Sequence, residues 1–237
     1  MEPKEFVLRK SLPVFINSFN QLFYLKELID NLLANHFSNI WILDNRSTLP
    51  SLLSFYNSLA DSRPGSVRVL FYPDNYGPRY FHLSGMFRTL WPYPHLYTDP
   101  DLLFPSFDSH FLSTLLEVST RYKAAKVGAA LTLPEEANMT PIKRVFAETN
   151  GVAVSVLEWE RRFWANEVEE LVYAVSIDTT FHLFNPEFFK DDDFLAGIRI
   201  ARNGYQARHR PWFLDDFAPA SEMEFYRNSR VGHGDWV

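Results

Sequence analysis

Within the first hundred residues four short apolar runs alternate with segments of helical periodicity, and few folds accept that order. The runs are Val14-Phe15-Ile16, Ile40-Trp41-Ile42-Leu43, Val67 to Tyr72 and His95 to Thr98. Between the first two, Leu22, Leu25, Leu28, Ile29, Leu32 and Leu33 recur at three- and four-residue spacings, which is one face of a helix. Pro50 suits the first turn of a second helix that brings Leu52, Leu53, Phe55, Tyr56 and Leu59 to packing. Residues 78 to 90 read as a third. Strand–helix alternation predicts crossover units in a mainly parallel sheet, an α/β fold. Crossovers are right-handed, and ligands bind beyond the carboxyl ends of such strands. Polar residues gather there: Asn17, Ser18, Asp44, Asn45, Asp74, Asn75, Asp99 and Asp101. Any one would be an ordinary loop residue. Recurrence after all four strands points to a site.

The second half is less regular. The pattern predicts a helix from Ser109 to Tyr122, a strand from Lys126 to Leu133, and a long loop region over 134–157 with one hairpin. It then predicts a helix from Leu157 to Trp164, an extended strand from Val172 to Leu183, and a helix carrying Phe194, Leu195, Ile198 and Ile200. With no linker or repeat, 1–237 reads as one domain, with a regular half at about 12–105 and a less regular half at about 106–237.

Composition narrows the chemistry. Of 237 residues 46% are hydrophobic and 22% charged, a folded rather than disordered balance. The 22 Phe, 11 Tyr and 6 Trp require ring packing in the core or along a cleft. A net charge of −6 argues against nucleic acid as a partner. Without cysteine there are no disulfides, thiolate metal sites or Cys nucleophiles. No apolar run is long enough for a membrane span, and Met1-Glu2-Pro3-Lys4-Glu5 lacks the apolar stretch of a signal peptide. The expected location is cytoplasmic, compatible with peripheral contact at the inner face of a membrane.

The sharpest local feature is Tyr97-Thr98-Asp99-Pro100-Asp101, directly after a strand. Two carboxylates held two residues apart by a proline can converge on one hard divalent cation that keeps positions open for phosphate oxygens. Without such a cation, burying both would be costly. By contrast His82, His95, His110, His182 and His233 show no metal-ligand spacing. The absence of Gly-x-Gly-x-x-Gly and of Gly-Lys-Ser/Thr disfavours dinucleotide and P-loop sites.

Val14-Phe15-Ile16-Asn17-Ser18, Trp41 to Thr48, the Asp-Pro-Asp pair, Ser176 to Phe181, Arg199 to Tyr205 and Ala207-Arg208-His209-Arg210-Pro211-Trp212 follow one another over residues 12 to 213. That ordered set resembles small bacterial-type glycosyltransferases of the GT-A fold, close to family 2. The resemblance implies a UDP- or GDP-linked sugar donor, a glycan, lipid-linked or small-molecule acceptor, Mn2+ or Mg2+ as cofactor, and inversion. It places Asn17, Ser18, Asp44 and Asn45 at the nucleoside and Asp99 and Asp101 on the metal with His209. Arg208 and Arg210 become candidates for the diphosphate, since guanidinium matches phosphate geometry. Asn75 and Arg79 either touch the donor or cap a helix.

Inverting transfer needs a carboxylate to deprotonate the acceptor. Asp193 matches the family's Glu-Asp position ahead of Arg199 and Gly204, but the sequence reads Asp192-Asp193 and lacks the preceding aromatic-Gly-Gly loop. Asp178, beside Thr179 and Thr180, is preferred, with Asp193 kept beside it. Glu158-Trp159-Glu160 and Phe163-Trp164 could form an acceptor platform, or pack as core. Two other readings stand: a sugar nucleotidyltransferase, and a non-catalytic glycan-binding protein on the same fold.

Overall fold

The computed structural model describes residues 1–145 and 153–230. It opens with α1 (Pro3–Ser11), a helix with no apolar stripe to announce it. Polar contacts add to the packing of Leu8 against the core. Glu5, fully buried, pairs with Arg9 at 2.9 Å and accepts the backbone N–H groups of Leu112 and Ser113. Those donors belong to the first turn of a later helix, where a carboxylate offsets unsatisfied N–H groups.

Strands β1 (Val14–Ser18), β2 (Ile40–Asp44), β3 (Val67–Phe71) and β4 (His95–Thr98) form the expected parallel sheet in the order β3-β2-β1-β4. Helices α2 (Leu22–Ala34) and α3 (Pro50–Ser62) make the first two crossovers. The third is split into α4 (Tyr80–Leu83) and α5 (Met86–Leu90), because Gly85 between them takes φ +74°. Side chains alternate across the sheet. Val14, Ile16, Ile40 and Ile42 join Leu25, Leu28, Ile29, Leu32 and Leu52 in one core. Phe15, Leu43 and Tyr97 face the other way and pack with Phe81, Phe87 and Phe184.

After β5 (Leu102–Leu103) come α6 (Phe111–Tyr122) and β6 (Lys126–Thr132), both close to expectation. The hairpin expected within 134–157 is β7 (Lys143–Val145) with β8 (Ala153–Ser155). Its connection, including Asn150-Gly151, lies outside the described residues. The helix expected at 157–164 is α7 (Val156–Glu160) running into a 3-10 turn, Arg161–Trp164.

Two expectations are corrected in the next stretch. The long strand from Val172 divides into β10 (Val172–Ser176), after the short β9 (Glu167–Glu169), and β11 (His182–Phe184). The residues expected to form a helix around Phe194 instead lead into strand β12 (Ala196–Ile200). Ile198 and Ile200 alternate with Gly197 and Arg199, a period of two that the helical reading missed. Gly197 also lets β12 pass close to Ile177, since a Cβ there would stand 2.8 Å from the Ile177 Cδ1 atom. The sheet runs β3-β2-β1-β4-β11-β6-β12-β10-β9, with β13 (Gln206–His209) beside β6 and β5. α8 (Ala220–Ser229), not foreseen, closes the described chain.

Beneath the sheet the separated histidines meet. His82 and His95 approach Nε2 to Nε2 at 3.1 Å, and the His82 ring lies 6.1 Å from that of His182. Burial holds His95 down to about 4 and the other two well below the usual imidazole range. They are neutral core groups. His233 lies outside the described residues.

Candidate functional site

The order β3-β2-β1-β4 makes the chain reverse direction between β1 and β4, and a crevice opens at the carboxyl ends of such a pair. A cavity of about 570 Å³ lies there. Three strand ends are tied together across it. Asn45, after β2, donates from Nδ2 to Asn17 Oδ1 on β1 at 2.6 Å, and Asn17 Nδ2 reaches Asp99 Oδ1 after β4 at 3.5 Å. Asn45 Oδ1 is buried and has no partner.

Asp99 and Asp101 both line the cavity. Burial, then the Asp101 charge, push Asp99 up to about 7, although the Thr179 hydroxyl donates to it and His209 acts against the shift. Its backbone N–H is held by the Thr179 carbonyl at 3.1 Å. Asp101 Oδ2 lies 3.4 Å from His209 Nε2, and Asp101 Oδ1 is buried without a partner. Such a pair suits a hard cation, because paired burial is unfavourable without one and Asp101 has an unclaimed oxygen. Among the described residues no group of three or more His, Asp or Glu side chains forms a ready-made cage.

The break between β10 and β11 puts Asp178 and Thr179 on a loop that lines the same cavity. Arg79, just ahead of α4, grips Asp178 with two donors, Nε to Oδ1 at 2.8 Å and Nη2 to Oδ2. Behind the loop, Lys126 Nζ donates to the carbonyls of Ile177 at 3.0 Å and Asp178 at 3.2 Å. Burial lowers that ammonium to about 7.

Asn17, Asn45, Asn75, Arg79, Asp99, Asp101, Asp178 and His209 thus share one cavity. The remaining candidates do not border it. Ser18 and Asp44 are buried and claimed by Tyr56 from α3: its hydroxyl donates to Asp44 Oδ2 at 2.9 Å and lies 3.0 Å from Ser18 Oγ. Asp44 Oδ1 accepts the Ser47 N–H, so this carboxylate organises the loop after β2. Strand alternation turns Arg208 away from the side that His209 faces. Arg208 pairs with Asp215 at 2.8 Å, and buried Arg210 pairs with Asp216 and Glu27. Asp193 sits on an exposed 3-10 turn, Asp191–Asp193, outside the cavity. Glu160 is buried against Arg199 at 2.6 Å, and Trp159, Phe163 and Trp164 do not line the cavity.

Sequence reasoning missed the wall that α8 provides. Met223, Tyr226, Arg227 and Arg230 enter the cavity there, with Tyr226 against Phe19. α8 is fastened to the start of α2 by Glu222 Oε1 accepting the Phe23 N–H at 2.8 Å, and by the Tyr24 hydroxyl accepting the Ala218 N–H at 3.0 Å. Pro219 ahead of the spaced pair Met223 and Tyr226 was the available signal.

The chain matches no known protein-family model and no curated protein. In structure it is similar to the mannosyltransferase PcManGT from Pyrobaculum calidifontis in complex with GDP-Man and Mn2+: TM-score 0.52, 12% identity, 83% of this chain and 56% of that one. It is also similar to GalNAc-T7 with UDP, GalNAc and Mn2+ (TM-score 0.49, 12% identity, 86% and 45%) and to apo UDP-glucose pyrophosphorylase (TM-score 0.43, 10% identity, 80% and 90%). The chain spans about half the length of the first two. At these identities the likeness concerns architecture: a mixed α/β fold of GT-A type around a mostly parallel sheet.

Proposed function

We propose that this chain is a metal-dependent glycosyltransferase that moves a sugar from a UDP- or GDP-linked donor to an acceptor hydroxyl with inversion. One observation carries the reading: Asp99 and Asp101 stand together in a cavity at the reversal point of a nucleotide-binding type of sheet, with Asp101 Oδ1 buried and unclaimed. The fold shared with a mannosyltransferase bound to GDP-Man and Mn2+ supports the substrate class. Asp99, Asp101 and His209 would hold Mn2+ or Mg2+. The cation supplies positive charge to the leaving diphosphate.

The other roles follow from position. Asn17, Asn45 and Asn75 offer amide groups to the nucleoside. Arg79, Arg227 and Arg230 are the cavity's guanidinium groups and match phosphate oxygens. They replace Arg208 and Arg210 in that role. Asp178 is the base. It takes the acceptor hydroxyl proton as that oxygen bonds to the anomeric carbon, while the carbon–oxygen bond to the diphosphate breaks and its electron pair leaves with the nucleotide. Arg79 occupies Asp178 in the free chain, so donor phosphates that draw on Arg79 release the carboxylate for this step.

Calorimetric titration of UDP and GDP with Mn2+, repeated with EDTA, tests the reading. Binding that requires the cation is expected, with slow release of nucleoside diphosphate from the cognate nucleotide sugar. Equal affinity with and without EDTA overturns metal dependence. Pyrophosphate release from a nucleoside triphosphate would identify a nucleotidyltransferase, and binding without turnover a glycan-binding protein. Among the described residues no helix is long and apolar enough to cross a membrane.

A further inference from the structure

The cavity lining mixes two chemistries. Asn17, Asn45, Asn75 and Arg79 are polar, and Arg227 and Arg230 add guanidinium groups at α8. Phe19, Ile142, Pro211, Phe217, Met223 and Tyr226 supply apolar surface. Each of these six side chains is only half-buried, although Ile142 also packs against the core. The wall is fixed in place: the Phe19 and Tyr226 rings meet edge to face at 6.3 Å, and Asn20 Nδ2 donates to Ser229 Oγ at 2.9 Å.

The carboxylate pair lines the same cavity as both groups. Asn17 reaches Asp99, and the Asp101 and Asp99 charges add to burial in raising the Tyr226 hydroxyl to about 12. A group lying on the apolar side chains therefore shares the cavity with Asp99 and Asp101.

We infer that this wall is a subsite for an apolar group on the acceptor, which makes the acceptor an amphipathic molecule, an alcohol or glycoside bearing an alkyl or aryl moiety. Sugars stack on aromatic faces, but their hydroxyls need partners, since unpaired polar groups lose their water at a cost. Four of the six residues could meet a hydroxyl only with carbon or sulfur: Ile142, Pro211, Phe217 and Met223. A chain of methylenes or an aryl ring needs no partner there and gains from leaving water. The word acceptor rests on the transferase reading. The apolar subsite does not.

The test is titration of the full chain with matched methyl, hexyl and phenyl β-glucosides and mannosides below their critical micelle concentrations, alongside UDP and GDP with Mn2+. Hexyl or phenyl glycosides are expected to bind at least about 10-fold more tightly than the methyl glycoside, a fraction of what full burial of the added methylenes provides. Phe19→Ala and Met223→Ala are expected to cut that preference at least about 3-fold and leave nucleotide affinity unchanged. Met223→Leu, of similar volume, retains it. Affinity that keeps rising from hexyl to decyl supports a lipid-borne acceptor, and a plateau with phenyl equal to hexyl supports an aryl one.

Equal affinity for methyl and hexyl glycosides, or no hexyl binding at millimolar concentration, overturns the subsite. So does a loss of nucleotide affinity in Phe19→Ala equal to the loss for hexyl. The two readings fail separately. Absent nucleotide binding with a retained hexyl preference removes the transferase and leaves the subsite. Metal-dependent nucleotide binding without the preference does the reverse.

Discussion

Replacing Lys126 by Met tests how the loop that presents Asp178 is held. The ammonium is buried at the start of β6, releases its proton at about 7 in the folded chain, and would do so at 10.5 in the unfolded one. Between those values the unfolded chain binds more protons, so stability rises with pH across the window. Below pH 7 both states are protonated and the contribution is flat. The linkage slope is about 1.4 kcal/mol per pH unit. Over the whole window the cost of keeping this cation buried amounts to about 4–5 kcal/mol. Opposing it are the bonds to the Ile177 and Asp178 carbonyls, each worth about 1.5–3 kcal/mol when the donor is charged.

Lys126→Met removes both sides of that balance. At pH 7 the variant is therefore expected within about 2 kcal/mol of the parent. The parent should then gain on it by about 1.4 kcal/mol per pH unit from pH 7.5 to 10. Urea unfolding at half-unit steps of pH measures the difference directly. Ionisation of tyrosines in the unfolded chain affects both proteins equally and cancels. A difference that stays constant from pH 7 to 9.5 would refute the reasoning, because Lys126 would then titrate alike in both states.

Three further outcomes are expected. Asp101→Asn should weaken nucleotide binding in Mn2+ at least about 10-fold while leaving thermal stability within a few degrees, since it removes a ligand and a like-charge neighbour rather than core volume; unchanged affinity in calorimetry counts against the metal role. Tyr56→Phe should lower stability by about 1–3 kcal/mol in denaturant titration, because buried Asp44 loses a donor that no water replaces. Glu5→Gln should cost about 3–5 kcal/mol by leaving Arg9 buried without its counter-charge, and Arg9→Met added to it should recover part of that loss.

The first hundred residues carried their architecture openly. Apolar runs such as Val14-Phe15-Ile16 and Ile40-Trp41-Ile42-Leu43 are buried on both faces, and the intervening helices have one apolar stripe each, so periodicity alone separates them. The same regularity put Asn17, Asn45, Asn75, Asp99 and Asp101 at strand ends, and the structure gathers all five at one cavity. Beyond residue 170 periodicity was ambiguous. Phe194, Leu195, Ile198 and Ile200 satisfy a helical spacing, yet the last two belong to a strand that pairs with β6 and β10.

Local sequence determined which residues sit at strand ends and placed the four parallel strands with the helices between them, because burial of alternating apolar faces depends on neighbours a few positions away. Tertiary structure alone decided which polar side chains face the cavity. Asp44 looks like Asp99 in sequence, but Tyr56 arrives from α3 and claims it. Arg208 and Arg210 flank His209, but carboxylates at Asp215, Asp216 and Glu27 take them out of the site. Arg227 enters from a helix more than a hundred residues away from Asp99. A charge's partner is set by distance in space, and that distance exists only once the chain has folded.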